Sequence, residues 1–135
     1  MAVLHLPERF RRWAMRQTKE IGQRGERLAR AYLRRQGYAI LHSNWSCLDG
    51  ELDIVARRAG SLVFVEVKTR RATNTEAALA SINPKKRQRL LNAAYRYLHE
   101  NGINPENPWR IDVIAIALAA DGAATIAHVE DAFDW

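Results

Sequence analysis

Gly50-Glu51-Leu52-Asp53-Ile54-Val55-Ala56-Arg57 and Ser61-Leu62-Val63-Phe64-Val65-Glu66-Val67-Lys68, separated by Arg58-Ala59-Gly60, decide the fold. Both runs alternate with period two and are rich in β-branched residues, and Gly60 marks a turn. Together they predict a β-hairpin. With Ala59-Gly60 as a two-residue loop, Arg58 pairs with Ser61, Asp53 falls opposite Glu66 and Glu51 opposite Lys68. Side chains alternate across a strand, so Glu51 and Asp53 share one face, as do Phe64, Glu66 and Lys68.

That register sets two carboxylates against each other, with Cβ atoms roughly 4.5–5.5 Å apart, where they repel. A protonated carboxyl, an intervening cation or a bulge would relieve the conflict. Solvent-facing polar residues on a surface hairpin are the plain alternative. Against it, Glu66 interrupts the otherwise apolar run 62–67. Such a run suggests a strand covered on both faces, and a buried charge needs a partner. A divalent cation is the economical answer. Mg²⁺ or Mn²⁺ takes hard oxygen ligands, commonly one or two carboxylates plus water and phosphate. Asp53 and Glu66 are the candidate ligands, and Lys68 stands beside them on the same face. This combination suits phosphodiester hydrolysis, in which a lysine stabilises charge developing on phosphate or orients water.

Working outward, residues 19–36 predict a helix. Ile21, Gly25, Leu28, Ala29, Tyr32 and Leu33 form its apolar stripe, and Gly37 stops it. Glu26 lies on the flank of that stripe, an odd place for a carboxylate. Residues 1–18 read as a basic arm, extended or helical, with Phe10 and Trp13 as its large apolar groups, and 19–135 as one domain. A short strand is expected at 38–43, and residues 72–82 are Ala-rich without a clear pattern. Asn83-Pro84 reads as an N-cap and first helical proline, opening a helix to about residue 99. Strands are expected at 109–118 and 125–129, with Phe133 and Trp135 closing the chain. The predicted class is α/β, a mixed sheet of about five strands flanked by helices.

The 135 residues suit a single domain. One cysteine, Cys47, excludes an internal disulfide and a multi-cysteine zinc site, and fits a reducing compartment. There is no apolar run near the roughly 20 residues needed to span a bilayer, and no secretory signal pattern. A cytoplasmic protein without membrane association is expected. Charge is segregated: residues 1–36 carry +7, residues 37–96 carry +5 and residues 97–135 carry −6. Such asymmetry points to a polyanion partner or, more plainly, to solvated Arg-rich helices.

Gly50-Glu51-Leu52-Asp53-Ile54-Val55 followed by Phe64-Val65-Glu66-Val67-Lys68-Thr69-Arg70 resembles the signature of the PD-(D/E)xK nuclease superfamily. With Gly25-Glu26-Arg27-Leu28-Ala29 upstream, it resembles the form seen in archaeal Holliday-junction resolvases. Ala80-Ser81-Ile82, Lys86, Arg110-Ile111-Asp112-Val113-Ile114-Ala115 and His128-Val129-Glu130-Asp131-Ala132-Phe133 extend the resemblance to the YraN-like family of uncharacterised bacterial proteins. The resemblance implies a restriction-endonuclease-like core in which Asp53 and Glu66 ligate a divalent metal, Lys68 assists the attacking water and Glu26 supports the site. It makes residues 19–135 a nuclease-like domain, and a homodimer is the expectation by analogy.

The function expected is therefore a metal-dependent nuclease acting on DNA or structured nucleic acid. Its alternative is a non-catalytic nucleic-acid-binding module with the same basic face. Arg24, Arg27, Arg70, Lys85, Lys86 and Gln88 are the candidate phosphate contacts. Asp112 reads as a further site carboxylate or, in preference, as the partner of Arg110 or another structural cation. Cys47 and the scattered histidines show no catalytic spacing.

Overall fold

A computed structural model describes residues 7–133. The first six residues of the basic arm, and Trp135, lie outside them. The chain runs α1 (Glu8–Arg35), β1 (Ala39–Cys47), β2 (Gly50–Arg58), β3 (Ser61–Arg71), α2 (Glu76–Ala80), α3 (Pro84–Glu100), β4 (Trp109–Leu118) and β5 (Ala124–Val129). The five strands form one sheet in chain order. Neighbours are antiparallel except β3 and β4, which are parallel and joined by the α2–α3 crossover. The architecture is the expected α/β one.

Each boundary has a local cause. The Asn83 side chain accepts from the Lys86 N–H at 2.8 Å, with Pro84 at the first helical position. Gly37 leaves α1 at φ +88°, a conformation that glycine takes without a Cβ clash. Ala59 and Gly60 both have positive φ, as a tight hairpin turn requires. Two boundaries shift: β1 runs on to Cys47, past the strand expected at 38–43, and the basic arm takes its helical alternative, so α1 starts at Glu8 and runs unbroken into the helix predicted for 19–36. Arginine, alanine, glutamine and methionine are good helix formers and carry it without an apolar stripe.

The sheet is covered on both faces. Leu62, Phe64, Ile111 and Val113 pack with Leu90, Ala94 and Leu98 of α3. Val63, Val65, Val67, Ile114 and Ile116 pack with Ala29 and Leu33 of α1. That double cover explains why β3 and β4 read as near-continuous apolar runs. Glu66 has the parity of Phe64, so it faces α3.

Candidate active site at a fork in the sheet

The β2–β3 register is the one predicted, from Arg58↔Ser61 to Ile54↔Val65, but the ladder stops there. Asp53 and Glu66 are not ladder partners, and neither are Glu51 and Lys68. β2 leaves β3 and continues against β1, with Leu52 opposite Trp45 and Glu51 opposite Ser46. β3 continues against β4 as far as Arg71. Leu52 joins the α3-side core while Ile54, two residues on, joins the α1-side core, so β2 turns over at Asp53. The Asp53 carboxylate fills the gap, accepting the Val67 N–H at 2.8 Å where a carbonyl of a continued β2 ladder would have stood. The fork takes the two carboxylates out of ladder pairing, though each still acts on the other.

Glu66 is 4% exposed. Lys86 Nζ lies 3.5 Å and Lys68 Nζ 3.8 Å from its Oε1. Asp53 is half-buried, and its carboxyl and that of Glu66 act on each other directly. Burial, followed by the Asp53 charge, pushes the Glu66 carboxyl up to about 7 despite both lysines. Burial also raises Asp53, against the Val67 N–H, and lowers Lys68.

Glu26 approaches from α1. The Asn44 side-chain nitrogen, in the orientation its neighbours demand, donates to Glu26 Oε2 at 3.2 Å and to Glu51 Oε1 at 3.1 Å. Burial raises the Glu26 pKa first, and the charges of Asp53 and Glu51 add to it. Gly25 lets α1 come this close: a Cβ there would lie 1.8 Å from Thr69 Oγ1 on β3.

A family model described as uncharacterised protein family UPF0102 matches residues 25–116. The chain belongs to this family. A UPF0102 protein of Chloroflexus aurantiacus is 43% identical over 111 residues, 82% of this chain and 90% of that protein. Those of Geobacter sulfurreducens and Pseudomonas aeruginosa are 43% and 40% identical over 116 and 119 residues, covering 90% and 94% of their own lengths. The UPF0102 match opens at Gly25 and takes in every residue of the fork: Glu26, Asn44, Glu51, Asp53, Glu66, Lys68 and Lys86. It leaves out the first 17 residues of α1 and all of β5.

The residues singled out in the sequence of this UPF0102 chain thus divide. Asp53, Glu66, Lys68 and Lys86 converge, with Lys86 turned onto the Glu66 carboxylate, while Glu26 approaches from α1 and is joined to the site by Asn44 and the Asp53 charge. Arg27, Lys85 and Gln88 are exposed, and Gln88 donates to Asn92 at 3.0 Å. Arg70 is exposed and donates to the Thr69 carbonyl at 3.1 Å, while Arg24 reaches the Gly122 carbonyl at 3.2 Å. Asp112 is the partner of Arg110. It is 0% exposed and takes bonds from Arg110 Nε, His128 Nε2 and the Asp131 N–H at 2.8–2.9 Å. Burial pushes its pKa up, but these bonds hold it below the usual carboxylate range. Asn44, which links Glu26 to Glu51, carries no signal of its own in the sequence beyond being a turn-type residue. Its φ of +53° is one that asparagine tolerates.

Among the described residues no group of three or more His, Cys, Asp and Glu side chains is arranged to hold a metal. The donor set fits a hard ion nonetheless. Mg²⁺ is held by one or two carboxylates with waters completing its shell, and half-buried Asp53 and buried Glu66 set two carboxyls beside each other. No helix among the described residues is long and apolar enough to cross a membrane.

Proposed function

We propose that the chain is a divalent-metal-dependent nuclease that hydrolyses phosphodiester bonds in DNA or structured nucleic acid, and that it acts in the cytoplasm. The observation that carries this reading is the fork itself. It brings two carboxylates together with two lysines at the point where β2 leaves β3. Asp53 and Glu66 would hold Mg²⁺ or Mn²⁺. When bound, the ion would polarise a phosphoryl oxygen and lower the pKa of a water. Lys68, with Lys86 behind Glu66, supplies positive charge to a phosphate developing negative charge. Asp53 is held in place by the Val67 N–H, and Glu26 by Asn44. The exposed arginines of α1 give the polyanion a positive surface.

Calorimetric titration with Mn²⁺ and Mg²⁺ tests the site without a guessed substrate. Saturable binding is expected in the wild type and its loss in Asp53→Asn. Cleavage of branched, single-stranded or duplex DNA should vanish in Asp53→Asn and Glu66→Gln while DNA binding persists. No metal binding, even with a short phosphodiester oligomer present, would overturn the reading. A second reading, a nucleic-acid-binding module without catalysis, is favoured by the contacts of Lys68 and Lys86 with Glu66, since two ammonium groups already stand where a cation would. Cleavage abolished by Asp53→Asn would overturn that one.

A further inference from the structure

On the opposite side of β3 from Glu66 lies a groove of about 580 Å³. Its walls are α1 from Gln17 to Arg24, the end of β3 at Arg71 and the β4–β5 turn at Gly122. Ile21, Leu118 and Ala120 give it an apolar floor. Two guanidiniums line it. Arg71 donates to Gln17 Oε1 at 3.2 Å and Arg24 to the Gly122 carbonyl at 3.2 Å. Both acceptors are neutral, and among the described residues neither arginine makes an ion pair. Each guanidinium has five donors, so most remain unused by these bonds. Glu20 also lines the groove and has no ion-pair partner among the described residues.

We propose that this groove binds a nucleoside monophosphate group, separately from the carboxylate site. The volume lies in the range of small-molecule sites, which combine apolar walls with a few placed polar groups. Arg24 and Arg71 suit a phosphate, for which the guanidinium fork is well shaped. The apolar floor takes the face of a planar base. Glu20 decides against a bare anion, which it would repel. A nucleotide instead brings donors, sugar hydroxyls or an exocyclic amine, that a carboxylate accepts. The group has two sources with the same chemistry, a free mononucleotide or the phosphorylated end of a strand.

The test is calorimetry on the full chain in EDTA with AMP, dAMP, adenosine, inorganic phosphate and a short 5′-phosphorylated oligonucleotide. AMP or dAMP should bind at least about tenfold more tightly than adenosine or phosphate. Arg24→Gln and Arg71→Gln should each weaken binding about tenfold, the loss of a charge-assisted hydrogen bond. Asp53→Asn should leave it unchanged, which separates this site from the proposed catalytic one. Amide chemical-shift changes on adding the mononucleotide should fall at Ile21 and residues 118–122, a readout that does not need the variants to fold. Competition between oligonucleotide and mononucleotide assigns the strand-end source, and mononucleotide binding without it assigns the free one. No binding at millimolar nucleotide would overturn the proposal. So would phosphate binding as tightly as AMP, or binding lost in Asp53→Asn.

Discussion

Glu66→Gln should stabilise the metal-free protein at alkaline pH while removing the function proposed for it. Glu66 is 4% exposed, and its carboxyl rises from an ordinary 4.5 to about 7. Between those values the folded chain keeps a proton that the unfolded chain has released. Wild-type stability therefore falls as pH rises from 4.5 to about 7, then levels. At 1.36 kcal/mol per pH unit the loss is about 3 kcal/mol. Glutamine does not titrate, so the variant's stability relative to wild type should improve by that amount between about pH 4.5 and 8. For a domain of this size that is a change on the order of 10 °C in melting temperature. Urea or thermal denaturation in EDTA at the two pH values measures it. Adding Mn²⁺ at the higher pH should then stabilise wild type and leave the variant unmoved. If glutamine costs stability equally at both pH values, Lys68 and Lys86 stabilise the carboxylate outright and the argument of a strained anionic pair fails.

Other perturbations separate the scaffold from the site. Gly25→Ala should destabilise by about 1–3 kcal/mol, because its Cβ would meet Thr69 Oγ1 at 1.8 Å and Thr69 Cβ at 2.8 Å; a thermal melt reads this, and metal affinity should fall with it as Glu26 is displaced. Asp112→Ala should cost about 3–5 kcal/mol by leaving Arg110 without its buried partner, measured by urea denaturation. The carboxyl of Asp112 lies below its usual range, so its contribution is present above the ordinary value of 3.8 and is lost only as pH falls through the depressed one. Asn83→Ala should cost about 1 kcal/mol as a lost cap and, by loosening the first turn that carries Lys86, shift the Glu66 titration seen by NMR. If the exposed arginines of α1 contact phosphate, Arg27→Gln combined with Arg34→Gln should reduce the salt slope of DNA binding by about 1.8, at roughly 0.9 per contact.

What the sequence discloses and what it conceals divide along physical lines. The hairpin, its register, the Asn83 cap and the Arg110–Asp112 pair are local: alternation, turn chemistry and short spacing are enough to place them. Glu26 is legible as an anomaly, a carboxylate on the flank of a core-facing stripe. The start of α1 is legible only as an option, because Phe10 and Trp13 are too few apolar groups to show that the arm joins the helix from residue 19. Lys86 reads from the sequence as a phosphate contact or a solvated first-turn residue. Its place on Glu66 is hidden because only the crossover from β3 to β4 carries α3 over the face on which Glu66 sits.

The fork is the instructive case. The sequence register sets Asp53 against Glu66, and that conflict is readable; its resolution is not. It depends on Asp53 taking the Val67 N–H at 2.8 Å, so that its own carboxylate replaces a ladder acceptor and β2 is free to leave. A buried N–H must find a partner. Once Asp53 supplies one, ending the ladder leaves that donor satisfied, while the Asp53 charge still raises the Glu66 carboxyl. The two acids then stand near each other at a gap in the sheet instead of locked in cross-strand contact. A residue that breaks the ladder and a residue that would ligate an ion are the same residue, so Asp53→Asn and Asp53→Ala should differ. The asparagine variant keeps an acceptor for the Val67 N–H and should preserve the fold while weakening metal binding. The alanine variant leaves that N–H unpaired and should lose about 1–3 kcal/mol as well. Equal stability of the two by urea denaturation would show that the carboxylate does not hold the fork.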